Sequence, residues 1–207
     1  MAYNEYGNRF QRTTPVVLNL IILNALVYLI QRMFDNGTEF KVTNLLALAP
    51  LEAGFKPYQL VTHMFAHSPF SIAHILFNMF ALWSFGSWLE RAWGPKRFLI
   101  FYLACGLAAG GAHLFLTNNA AVGASGAIMG LFAAFAYLFP NTELMIMPIP
   151  IPIKAKWVCL VYVLIDLFGG IGQLQGDNIA HFAHLGGALT GFLIVLFWNK
   201  TNRKTLY

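Results

Sequence analysis

Charged residues in this chain are confined to short clusters, and the runs between them, 15–31, 57–89, 98–142 and 178–199, contain no Asp, Glu, Lys or Arg. A hydrocarbon core about 30 Å thick is crossed by a helix of roughly 20 apolar residues, so each run holds a span. The third, divided by Thr117-Asn118-Asn119, holds two. The pattern predicts helices over 15–33, 71–89, 98–116, 121–139, 157–171 and 178–198. Gly94-Pro95 separates the second from the third. Pro140 and the Pro148-Ile149-Pro150-Ile151-Pro152 run close the fourth, because proline lacks an amide donor and its ring clashes with the preceding turn. The expected fold is all-α: a polytopic membrane protein with six transmembrane helices and no strand. Residues 1–14 form a cytoplasmic arm, 15–198 a membrane domain with an interfacial loop at 34–70, and 199–207 a basic cytoplasmic tail.

Composition agrees. Of the 207 residues 58% are hydrophobic and 10% charged, and mean hydropathy is +0.61, too little polar surface for a soluble globule. The first segment is expected to be a retained span, since no small-x-small cleavage site precedes Gln31-Arg32. The loop at 34–70 carries Leu45, Leu46, Leu48, Leu51, Tyr58, Leu60, Val61, Met64 and Phe65, which are costly in water. It is expected to lie in the interface as short amphipathic helices. A net charge of +5 does not point to nucleic acid, because the basic residues are scattered through loops without an aromatic-interleaved patch. Arg9, Arg12, Arg91, Lys96, Arg97, Lys154, Lys156, Lys200, Arg203 and Lys204 fall on one side of a six-span chain, and Arg32, Lys41 and Lys56 on the other. That bias predicts cytoplasmic termini. Cys105 and Cys159, both in apolar runs, read as packed thiols.

In this orientation the second, fourth and sixth helices start from the outer face. His74, Ser125 and His184 then share a depth of roughly 5 to 10 Å. Ionisable groups in hydrocarbon are expensive, which marks such residues as functional candidates. Ser125, in Gly123-Ala124-Ser125-Gly126, lies at a helix N-terminus where unpaired amides favour negative charge. Gly126 with Gly130, and Gly187 with Gly191, are G-x-x-x-G pairs that let helices approach closely in lipid. His184 shares a face with Gly187 and Gly191 and is expected to point at Ser125 as general base to its nucleophile. His74 and Asn78, four apart, are expected to donate into the same pocket, with the backbone amide of Ser125 completing an oxyanion hole. A soluble-hydrolase nucleophile elbow is excluded, because Ala127 stands where G-x-S-x-G requires glycine. Asp166 is a rival third member of the dyad; the competing reading is a carboxylate hydrogen-bonded to neighbouring helices or water. Glu90, near the opposite end of the second helix, reads as structural. No glycine-rich phosphate loop implies a cofactor. His63 with His67 and His181 with His184 have spacings that suit a metal ion, which keeps a histidine-rich metal-binding membrane protein as a distant alternative.

Four motifs in order carry a family resemblance: His74-Ile75-Leu76-Phe77-Asn78, Gly86-x-x-x-Glu90-x-x-x-Gly94, Gly123-Ala124-Ser125-Gly126 and Ala183-His184-x-x-Gly187-x-x-x-Gly191. Over about 58–198 the chain resembles the rhomboid intramembrane serine proteases of the bacterial six-helix type. The resemblance implies a Ser125–His184 dyad without an acidic third member and oxyanion stabilisation by His74, Asn78 and the Ala124-Ser125 backbone. It also implies cleavage of transmembrane segments of other proteins within a lipid bilayer, in a bacterial inner membrane, with no cofactor and no metal. Relatives often carry tyrosine one turn after the nucleophile, stacked on the base, where this chain has Met129; a Trp-Arg pair of the first loop is Tyr58-Gln59 here. A proteolytically inactive relative that binds membrane helices is the main alternative.

Overall fold

A computed structural model of the chain describes residues 13–35, 39–146, 149–172 and 179–201. The greater part of the predicted arm and tail, with Arg9, Arg12, Arg203 and Lys204, and the predicted sixth-helix start at Asn178 lie outside the described residues.

The first helix, α1 (Pro15–Phe34), has proline in its first turn and buries only Val17, Leu20, Asn24 and Gln31. That spacing traces one narrow face, while Leu18, Ile22, Leu26, Leu29 and Met33 point outward. Glu90 accepts hydrogen bonds from the amides of Val16 (3.0 Å) and Val17 (2.8 Å), so a carboxylate caps the amide-rich end of α1.

The first loop contains α2 (Lys41–Leu46), a 3₁₀ turn at Leu51–Ala53 and α3 (Gln59–Thr62). Its apolar residues divide. Leu48 and Met64 are buried against the helices, whereas Leu45, Leu51, Tyr58 and Val61 are exposed. The Gln31 side chain spans the loop, donating to the Thr43 hydroxyl (2.7 Å) and the His67 carbonyl (2.9 Å) and accepting from the His67 amide (3.0 Å). Gln59 accepts from the amides of Ala49 and Lys56. The Tyr58-Gln59 pair thus supplies one buried amide anchor and one exposed ring.

The second span runs through α4 (Ile72–Ala81), a π turn (Leu82–Gly86) and α5 (Ser87–Trp93). Gly94, at φ 82°, turns the chain into α6 (Pro95–Leu116). Next comes α7 (Ser125–Leu138), then α8 (Ala155–Gly172) and α9 (His181–Thr201). Among the described residues, five helical stretches are long and apolar enough to cross a membrane, and α7 is a shorter sixth. At 1.5 Å per residue its 14 residues reach roughly 21 Å. The expected start at 121 is corrected: Ala121 forms an antiparallel bridge with Leu48, and Gly123 adopts φ 127°, which no helix continues. Nearly all of α7 is buried, and α9 and α6 make the most extensive helix packing around it.

The absence of strands is also corrected. Glu143–Ile146 (β1) and Ile149–Lys154 (β2) form an antiparallel hairpin between α7 and α8, with Glu143 opposite Lys154 and Met145 opposite Pro152. Prolines stop helix growth, but an isolated two-stranded ribbon has a free edge on each side where a missing donor is tolerated.

Candidate active site

The N-termini of α4, α7 and α9 open onto one cavity of roughly 1390 Å³, lined among others by Ser68, His74, His113, Ser125, His181 and His184.

Ser125 is the first residue of α7, with Ala124 as its cap. The first-turn amides have no partner within the helix and are available to a developing oxyanion. Gly123 has two reasons to be glycine. Its φ of 127° disfavours a side chain, and a Cβ there would lie 3.0 Å from His74 Nε2. The Gly123 amide donates to the His63 carbonyl (2.9 Å), tying the nucleophile loop to the first loop.

Opposite Ser125, His184 lies in the first turn of α9, with Nε2 2.8 Å from the serine Oγ. Its Nδ1 is 3.0 Å from Asp166 Oδ1. A neutral ring protonated at Nδ1 donates to that carboxylate and leaves the Nε2 lone pair to the Ser125 hydroxyl. Glycines make the approach possible. A Cβ on Gly187 would fall 1.9 Å from the Gly126 carbonyl, and one on Gly191 2.4 Å from that of Gly130. On the other side, a Cβ on Gly130 would meet Cys105 Sγ at 2.5 Å, so α6, α7 and α9 meet backbone to backbone.

The His74 ring is oriented from behind. The Ser68 amide donates to its Nδ1 at 3.3 Å, which leaves the proton on Nε2, the nitrogen nearest Gly123. Asn78 is buried and donates from Nδ2 to the His74 carbonyl at 2.8 Å. His113 bonds through Nε2 to the Asn119 carbonyl and braces the rim of the cavity.

The four histidines with metal-like spacing do not act as two pairs. His63 bonds through Nδ1 to the Gln59 carbonyl and packs on Gly110, while His67 lies edge-on to His74 with ring centroids 5.1 Å apart. Both belong to the first loop, and burial pushes each imidazole down to about 4. His181 and His184 converge on Asp166 through their Nδ1 atoms. Sequence reasoning assigned His181 only a metal-ligand spacing and held Asp166 as a rival; the signal it had was the three-residue interval that puts both rings on one side of α9. Met129 packs with Phe132, Ala133, Val158 and Ala188. Glu90 lies far from the cavity on α5, at the start of α1.

Comparison with known proteins gives a consistent result. The sequence model described as Rhomboid domain matches residues 54–200. The chain is 32% identical over 189 residues to "Rhomboid protease GluP" of Bacillus subtilis (strain 168), covering 88% of this chain and 35% of that protein. It is 30% identical over 152 residues to "Rhomboid protein 1, mitochondrial" of Saccharomyces cerevisiae, covering 70% and 43%. It is 26% identical over 200 residues to "Rhomboid protease GlpG" of Pectobacterium atrosepticum, covering 94% and 67%. The chain therefore spans about a third to two thirds of the length of these relatives.

Proposed function

As the chain belongs to the rhomboid family, we propose that it is a serine endopeptidase that cleaves transmembrane segments of other proteins inside the bilayer. The observation that carries this reading is the 2.8 Å contact between Ser125 Oγ and Nε2 of His184. A serine hydroxyl is a weak nucleophile until a base takes its proton, and here an imidazole nitrogen is in hydrogen-bond reach of it.

A substrate helix approaches laterally and unwinds locally beside the cavity. Ser125 Oγ attacks the scissile carbonyl as its proton passes to His184 Nε2. The oxyanion accepts hydrogen bonds from the Ser125 amide and His74 Nε2–H. Asn78 holds the His74 carbonyl and so the pitch of that helix turn. Collapse of the tetrahedral intermediate breaks the peptide bond, His184 protonates the leaving amine, and water from the outer face hydrolyses the acyl-enzyme by the reverse roles. Water must reach a site of this kind, which accounts for its place at the helix N-termini. The distribution of Lys and Arg supports cytoplasmic termini. The same reading places the chain in a bacterial inner membrane, with transmembrane protein substrates and the lipid bilayer as its partners.

The test is Ser125→Ala in the full chain reconstituted into liposomes. It is expected to abolish both cleavage of a transmembrane reporter and labelling by a fluorophosphonate, both present in the wild type. Persistence of both in the variant overturns the assignment.

A further inference from the structure

Most of α8 faces outward: Leu160, Val161, Leu164, Ile165, Leu167 and Phe168 are exposed. Asp166 is buried, as are Ala155, Val158 and Gly170; it is 3% exposed and turned toward α9. A carboxylate buried in an apolar belt is costly unless charge-assisted hydrogen bonds compensate it. Both bonds found here reach one oxygen, from His181 Nδ1 at 2.8 Å and from His184 Nδ1 at 3.0 Å. The surrounding sequence accommodates this grouping. A Cβ at Gly169, three residues after Asp166, would lie 2.5 Å from the His181 ring, so the next turn of α8 has no side chain where that ring sits. Three residues separate His181 from His184 on α9, which sets both rings on one side.

We infer that Asp166 is the positioning residue of His184, an inference that rests on reading Ser125 as the nucleophile. A neutral imidazole exists as two tautomers, and only the one protonated at Nδ1 leaves Nε2 free to accept the Ser125 proton. The Asp166 carboxylate selects that tautomer and fixes the ring plane. When the proton of Ser125 moves to Nε2, the proton on Nδ1 stays on its nitrogen and Asp166 stays ionised; the imidazolium then faces a fixed negative charge. His181 donates to the same oxygen and keeps the carboxylate from turning toward the cavity, so α8 is coupled to the chemistry although it contributes nothing to the nucleophile or the oxyanion site.

The experiment compares wild type with Asp166→Asn, Asp166→Ala and Asp166→Glu in the reconstituted full chain, using a fluorogenic single-span reporter with glycines in its outer third. Asp166→Asn is expected to lower kcat at least about 100-fold with KM within about twofold, since an amide oxygen can orient the ring but does not stabilise its cation. Asp166→Ala falls further, and Asp166→Glu restores part of the loss. Nitrogen-15 histidine spectra of the wild type report His184 protonated at Nδ1, and in Asp166→Ala that proton appears on Nε2 in a substantial fraction of molecules. The inference is overturned by a wild-type His184 protonated at Nε2, or by Asn and Ala variants whose kcat and melting temperature match wild type. Loss of folded protein in every variant leaves the wild-type spectrum to decide. The spectrum needs no turnover, so a wild type that neither cleaves nor labels rejects the protease reading while the tautomer still decides this one.

Discussion

Gly187 of α9 lies so close to Gly126 of α7 that a Cβ on the former would stand 1.9 Å from the carbonyl oxygen of the latter. This contact is three residues from His184 and one from Ser125, and it sets the spacing of those two side chains. Lipid tails are as apolar as leucine, so nothing like the aqueous hydrophobic effect drives α9 onto α7; close backbone packing does. The site and the packing of the molecule's centre are therefore one feature.

Gly187→Ala is accordingly expected to separate α7 from α9. Overpacking typically costs about 1–3 kcal/mol, and a clash with backbone is less easily relieved than one with a flexible side chain, so a loss near the top of that range is expected. Cleavage should fall further than stability alone predicts, because a shift of about 1 Å between nucleophile and base costs on the order of 100-fold. Gly111→Ala is the control. No atom lies within 4 Å of a Cβ there, and its melting temperature and turnover should stay near wild type.

Glu90 is expected to govern stability without governing turnover. It is 2% exposed, and its two oxygens hold the amides of Val16 and Val17. Glu90→Ala leaves both amides unpaired and should destabilise by about 3 kcal/mol. Glu90→Gln keeps one acceptor and should cost roughly half as much. Thermal unfolding in detergent measures both, and turnover per folded molecule should match wild type.

What the sequence made legible was the part that depends on local spacing. The uncharged runs located the long helices to within a few residues, except α8, which carries Asp166 and falls outside them, and the two G-x-x-x-G pairs marked the α7–α9 contact with its serine and histidine. Local spacing does not record how one helix is rotated against another. As the one charged residue among apolar neighbours in its span, Asp166 is expected to turn toward the other helices, but that both His181 and His184 meet it became visible only in three dimensions. The proline run at 148–152 was read as a stop because proline forbids a helix, and its tolerance at the edges of a two-stranded ribbon went unused. Gln31 and Gln59 resemble ordinary boundary polar residues in sequence, yet both hold the first loop in place.

Acid is expected to destabilise the fold through His63 and His67. Both are neutral in the folded chain, with burial holding them at about 4 against an unfolded value of 6.5. Between those limits the unfolded chain binds more protons, so their contribution is complete above pH 6.5 and is lost as pH falls toward 4. Each contributes up to about 3 kcal/mol. Facing groups have the same sign: His113 lies near His63, and His74 near His67. Melting temperature should fall steeply between pH 6.5 and 4 in the wild type and less steeply in His67→Gln.

His74 should determine the rate of the chemical step and little else. The Ser68 amide occupies its Nδ1, so Nε2–H is its available donor, and Gly123 has no side chain between that donor and the cavity. Removing one oxyanion donor costs on the order of 100- to 1,000-fold in kcat, about 3 to 4 kcal/mol of barrier. His74→Ala is expected to show this loss with KM nearly unchanged, because a ground-state carbonyl is held less tightly than the oxyanion it becomes. A His74→Ala enzyme whose kcat matches wild type would remove His74 from the oxyanion site.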